Sequence, residues 1–188
     1  MKQIFLVGFR GTGFRSEPHK RESLLIRAGH IGFYFEGEED VIFGFHPTEE
    51  ACRAVGDDDA VIAWLKVHRT LDGALFDNTA IFERAAGLAK DTAPTEVWEM
   101  SVSVSDEMFE RIRTQTIAWY NERRIFTYAF PSEDDVKNRD NCATFPRRLD
   151  IPLPEPTGNL REYIPALQEQ GKRWREKGAA DEPDDTHG

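Results

Sequence analysis

The sequence predicts an α+β domain in which an antiparallel sheet packs against helices, and three observations carry that expectation. Two short apolar runs, residues 31–35 and 41–45, flank the polar, glycine-containing linker Glu36-Gly37-Glu38-Glu39-Asp40, as a β-hairpin requires. Residues 97–104 alternate, with Trp98, Met100, Val102 and Val104 on one face and Glu99, Ser101 and Ser103 on the other, the pattern of a half-buried strand. Immediately afterwards Ser105 supplies a cap, Asp106 and Glu107 complement the helix dipole, and Met108, Phe109, Ile112, Thr116 and Trp119 trace an apolar stripe to about Arg124.

The remaining elements follow in chain order. Residues 3–9 form a continuous apolar run bounded by glycine, the pattern of a central strand. The loop at 10–15 holds closely spaced glycines but lacks the Gly-Lys-Ser/Thr ending of a phosphate loop, so no nucleotide or other cofactor is expected. Residues 48–55 predict a short helix, with Thr48 as cap, Glu49 and Glu50 in its first turn and Gly56 as its stop. Residues 58–68 fit helix or strand, and residues 78–90 predict a further helix. Asp140 and Asn141 are good caps, so Cys142 is expected to open a helix, which Pro146 leaves short or kinked. After the proline-rich stretch 151–156, a last amphipathic helix is expected over about 160–177.

Composition bounds the function. The chain has 188 residues, enough for one domain to fold without disulfides or structural metal, and residues 1–177 are read as that domain. Its formal net charge of -10 disfavours nucleic acid or an anionic membrane as the main partner. Part of this charge lies in residues 178–188, an acidic tail read as disordered. Two cysteines make no secreted disulfide framework, no run approaches a membrane span of roughly 20 residues, and no signal peptide is legible. The expectation is a protein cytoplasmic as synthesised, and a chain exported by a dedicated apparatus would look the same.

The hairpin carries the chemistry. If Phe35 faces Val41, then Phe33 pairs with Phe43, Ile31 with Phe45 and His30 with His46. Directly opposed residues share a face with Cβ atoms about 5 Å apart, so the register makes the two imidazoles neighbours. Cys142, at a predicted helix start, gains thiolate character from the helix N-terminus and from an adjacent imidazole. In this arrangement Cys142 is the nucleophile and His30 the general base and acid. His46 hydrogen-bonds the far nitrogen of His30 and sets its tautomer.

The segments Gly29-His30-Ile31-Gly32-Phe33, Phe43-Gly44-Phe45-His46-Pro47 and Asn141-Cys142-x-x-Phe145 resemble the circularly permuted papain-like hydrolases, relatives of the NlpC peptidoglycan peptidases. The last segment is also similar to that of the lecithin:retinol acyltransferase-like enzymes of the same branch, which likewise use two histidines. The resemblance covers roughly residues 3–149. It implies a permuted papain-like fold, a thioester acyl-enzyme at Cys142, His30 as base and His46 as orienting residue. Asn141 and Tyr128 are expected near the substrate or oxyanion.

The expected substrate is an amide bond in a peptide or cell-wall peptide, with a lipid or ester acyl group as the alternative. A non-catalytic binding or interaction module that keeps the fold is the reading of a different class; the basic stretch at 172–177 reads most simply as a solvated helix end, with docking on an acidic protein partner as its alternative. His30, His46, Cys142 and Cys52 match no compact zinc-ligand spacing, so no metal is expected.

Overall fold

In a computed structural model of the chain the described residues are 1–12, 24–67, 69–87, 95–130, 140–154 and 160–174. The strand Lys2–Arg10 (β1) is an interior strand of a seven-stranded sheet. The short helix Leu24–Ala28 (α1) leads into Gly29–Phe35 (β2), and Phe43–Pro47 (β3) returns beside it. Glu49–Val55 (α2) and Asp58–Lys66 (α3) follow, capped by the side chains of Thr48 and Asp57. Leu71–Asp77 (β4), Thr79–Ala85 (α4), Val97–Val104 (β5) and Asp106–Asn121 (α5) come next. The chain continues through Phe126–Tyr128 (β6), Phe145–Arg148 (α6), Leu160–Gln170 (α7) and the two-residue Lys172–Arg173 (β7).

The strand order is β6-β4-β3-β2-β1-β5-β7, and every neighbouring pair is antiparallel. This is the expected α+β architecture of an antiparallel sheet packed against helices. The hairpin register is also the expected one at the pair that fixes it, Phe33 with Phe43. Because strand side chains alternate between faces, Leu6, Ile31, Phe33, Phe35, Phe43 and Phe45 line one core. Val7, Phe9, Tyr34 and Ile42 line the other. The long helix α5 covers the first core, with Phe109 edge-on to Phe35 at 5.5 Å. Trp98 of β5 lies across Gly8 of β1, where a Cβ would stand 2.3 Å from the indole.

Several elements depart from the sequence expectation. Residues 58–66, ambiguous by pattern, are helical, because Asp57 accepts from the Ala60 N–H and Val61, Ile62 and Leu65 face inward. Strands β4 and β6 had no alternation strong enough to mark them. The last helix stops at Gln170 instead of running to 177. Gly171 then passes so close to β5 that a Cβ would lie 2.8 Å from the Glu99 carbonyl, and β7 adds to the sheet edge. The helix expected at 78–90 ends at Ala85, with Ala86 as its cap and Gly87 at positive φ; residues 88–90 and the tail at 178–188 lie outside the described residues. Among the described residues no helix is long and apolar enough to cross a membrane.

Candidate active site

His30 and His46 meet on the face of the sheet that also carries Phe9 and Phe82, with ring centroids 6.0 Å apart. They do not bond to each other. The Asn78 side chain stands between them, with Oδ1 2.7 Å from His30 Nε2 and Nδ2 3.2 Å from His46 Nε2. The direct His46 to His30 bond expected from the register is therefore replaced by an amide bridge. Asn78 precedes α4 in the N-cap position but makes no side-chain cap, because its amide is engaged by the two rings. In sequence an asparagine ahead of a helix is indistinguishable from an ordinary cap, which hid its role.

The direction of the bridge follows from one group that can only accept. His46 Nδ1 lies 2.9 Å from the Pro47 carbonyl oxygen, so Nδ1 bears the proton. A neutral His46 then presents a lone pair at Nε2, and only the NH2 end of Asn78 can donate to it. That turns the Asn78 oxygen toward His30, whose Nε2 must donate. His30 is thus fixed in its Nε2–H tautomer, and its lone pair lies at Nδ1. This atom is buried and, among the described residues, has no hydrogen-bond partner.

Both rings are neutral in this arrangement. His30 is fully buried; burial above all, and then the neighbouring His46, lower its pKa from 6.5 to about 3, against the opposing bond to Asn78. His46 is only partly buried, and its pKa is also lowered, mainly by burial and against the bond to Pro47. Its ring stacks on Phe76 of β4 at 4.1 Å.

Cys142 reaches the same strand from another direction. Asn141 Oδ1 accepts from the N–H groups of Ala143 and Thr144, and the Asn141 carbonyl accepts from Phe145, so residues 141–145 form one tight capped turn. The expected helix opened by Cys142 is this turn followed by the four residues of α6. Pro146 has no N–H for the Cys142 carbonyl, so the regular ladder stops there. Phe145 stacks on Phe45 at 4.0 Å and seats the turn against the larger core.

The thiol then faces the N–H of Ile31, the residue after His30, together with the N–H groups of Cys142 and Ala143. Strands β2 and β3 pair only at Gly32–Gly44 and Phe33–Phe43. Beyond that point the Ile31 N–H is left to the sulfur. Burial dominates the thiol's ionisation and pushes its pKa up to about 11, although the three N–H groups favour the thiolate. The expected low-pKa thiolate is therefore absent from the resting site, which holds a neutral thiol and a neutral imidazole. None of the imidazole hydrogen bonds goes to the thiol.

Two further residues were named from sequence. Asn141 frames the turn, its side-chain oxygen accepting two backbone N–H groups. Tyr128 is 6% exposed and packs on Phe45 with centroids 5.5 Å apart. It is a core residue close to the thiol, and burial raises its hydroxyl pKa well above the ordinary value. Among the described residues no group of three or more His, Cys, Asp or Glu side chains forms a metal-ion site.

No protein-family model, curated protein or solved structure matches this chain.

Proposed function

We propose that this protein is a cysteine-dependent hydrolase that cleaves an amide bond through a thioester at Cys142. The observation that carries the reading is the directed chain from the Pro47 carbonyl through His46 and Asn78, which leaves the lone pair of His30 Nδ1 buried and, among the described residues, without a partner. A general base needs a neutral ring of defined tautomer with a free lone pair beside the proton to be removed. Cys142 sits at the N–H of Ile31, the next residue, with no hydrogen bond to His30, so the proposed proton transfer requires the sulfur and Nδ1 to approach.

In the first step Nδ1 takes the thiol proton while the sulfur attacks the substrate carbonyl carbon. The tetrahedral adduct collapses as the same proton passes to the leaving amine, and the carbon–nitrogen bond breaks. Water then loses a proton to Nδ1 and attacks the thioester, and the thiol leaves and recovers its proton. The N–H groups of Ile31, Cys142 and Ala143 favour negative charge on the sulfur. Asn78 and His46 act as positioning residues.

A peptide or cell-wall peptide amide is the leading substrate class, and a lipid or other acyl ester is the alternative through the same thioester. The fold class, an antiparallel sheet carrying the histidines with the cysteine on a separate capped turn, is compatible with the permuted papain-like topology proposed from the sequence resemblance. A binding module without catalysis is the second reading, favoured by burial of the thiol, with Cys142 9% exposed.

The test is formation of a covalent acyl adduct on Cys142, read by intact mass with peptide, peptidoglycan-fragment and aryl-ester donors. The expected result is an adduct lost in Cys142→Ala and formed at least a hundredfold more slowly in His30→Ala, the order expected for loss of a general base. Equal rates in wild type and His30→Ala would overturn the hydrolase and favour the binding module.

A further inference from the structure

We propose that the Asn78 amide is a two-position relay that couples the charge on His46 to the tautomer of His30, so that protonating His46 removes the lone pair from His30 Nδ1. The inference deepens the proposed function, and only its catalytic consequence rests on that reading.

The argument starts from which group can change. His30 is wholly buried and His46 is partly exposed, so a proton entering the pair costs least at His46. The only hydrogen-bond site where His46 can take it is Nε2, because Nδ1 already donates to Pro47. Once protonated, Nε2–H faces the NH2 end of Asn78, donor against donor.

The two ends of a primary amide are nearly equal in size. A half-turn of the Asn78 amide therefore exchanges them without displacing neighbours, and Gly44 beneath it contributes no Cβ that would obstruct the motion. After the turn Oδ1 accepts from His46 and Nδ2 points at His30 Nε2. His30 then gives up its Nε2 proton and carries one at Nδ1. The balance is one proton taken up by His46, one lost and one gained by His30, and the Nε2 atoms of both rings again have matched partners. The nitrogen that carried a free lone pair, Nδ1, becomes a donor.

Among the described residues the groups facing His46 are Pro47 on its own strand, Phe76 of β4, Asn78 ahead of α4 and His30 of β2. Of these only His30 titrates. Among the described residues no carboxylate bonds to His46.

The test follows the protonation of each imidazole nitrogen by long-range proton–nitrogen NMR from about pH 8 to about pH 4. Both wild type and Cys142→Ala are titrated. As His46 becomes an imidazolium, the unprotonated nitrogen of His30 is expected to move from Nδ1 to Nε2 with the same midpoint. In Asn78→Asp the bridge can no longer donate, so His30 should keep its Nε2 proton throughout and the coupling should vanish. Retention of the Nδ1 lone pair in the wild type while His46 titrates would overturn the relay, as would His30 protonating first. Because the tautomers are read without a thiol, the relay can stand if acylation of Cys142 fails. Conversely, a failed relay leaves the acylation test untouched.

Discussion

Gly44 lies under the Asn78 amide so closely that a Cβ there would stand 1.8 Å from Oδ1 and 2.5 Å from His30 Nε2. The bridge between the histidines exists because position 44 has no side chain. Gly44→Ala is therefore expected to push Asn78 away from both rings and cost about 1–3 kcal/mol, as overpacking does. Denaturant unfolding reads the stability. The His30 tautomer and the rate of Cys142 acylation read the bridge. An alanine variant with wild-type stability and wild-type acylation would show that the bridge is dispensable.

The site also sets how stability varies with pH. The folded-state pKa of His30, about 3, lies below its ordinary 6.5, so between those values the unfolded chain binds a proton that the folded chain does not. Stability from this group is complete above about pH 6.5 and falls as the pH drops toward 3, with a slope approaching about 1.4 kcal/mol per pH unit. His46 is lowered too and acts in the same direction. Cys142 is raised from 9.0 to about 11, so its contribution is complete below pH 9 and is lost as the pH rises toward 11. Urea midpoints across pH should trace both limbs. Cys142→Ala should shrink the alkaline one, to which the raised Cys52 and Tyr128 also contribute, while leaving the acid one, and an unchanged alkaline limb would mean the thiol is not held neutral by the fold.

What the sequence made legible is what depends on period-2 patterning. The hairpin register follows from burying Ile31, Phe33, Phe43 and Phe45 on one face, and a one-residue slip would have moved all four to the opposite face. The meeting of His30 and His46 follows from the same register. Strand β4 was not legible, because Leu71-Asp72-Gly73-Ala74-Leu75-Phe76-Asp77 mixes small, acidic and apolar residues and is held by pairing on both sides. Asn78 was hidden with it, since its position beside the histidines depends on β4 lying against β3. The thiol's resting state was not legible either. The cap at Asn141 and the Ile31 N–H favour a thiolate, and only the packed structure shows that burial outweighs them.

Asn141 supports the turn through three roles at once. Its side-chain oxygen accepts from Ala143 and Thr144, its carbonyl accepts from Phe145, and its N–H donates to Thr144 Oγ1 at 3.0 Å. Asn141→Ala removes only the side-chain acceptor and leaves two N–H groups in a buried turn without it. The expected loss is about 1–2 kcal/mol, the upper range for a cap, with Asn141→Asp largely restoring stability. If Asn141→Ala unfolded at the wild-type midpoint yet abolished acylation, the residue would be acting on substrate and its purely structural assignment would be wrong.

The seat of the thiol against β2 is made by Phe145. Its ring lies on Phe45 at 4.0 Å with 14° between the planes, and Trp119 and Phe126 close around it at 6.1 and 5.2 Å. Phe145 is fully buried, so Phe145→Ala should cost about 3–5 kcal/mol through lost burial and the cavity left behind. Phe145→Leu keeps much of the volume and should cost less. The leucine variant separates stability from positioning. With the fold intact but the stack gone, the Cys142 turn loses the contact that holds its sulfur at the Ile31 N–H. Alkylation of Cys142 by a small neutral reagent should then become faster than in wild type, because the thiol is less buried and a larger fraction ionises. Acylation that depends on His30 should become slower. Mass-spectrometric labelling of Cys142, with Cys52 as the internal reference, gives the first rate and the acyl adduct gives the second. If both rates rise or fall together, Phe145 acts on the accessibility of the site alone and the stack does not position the sulfur.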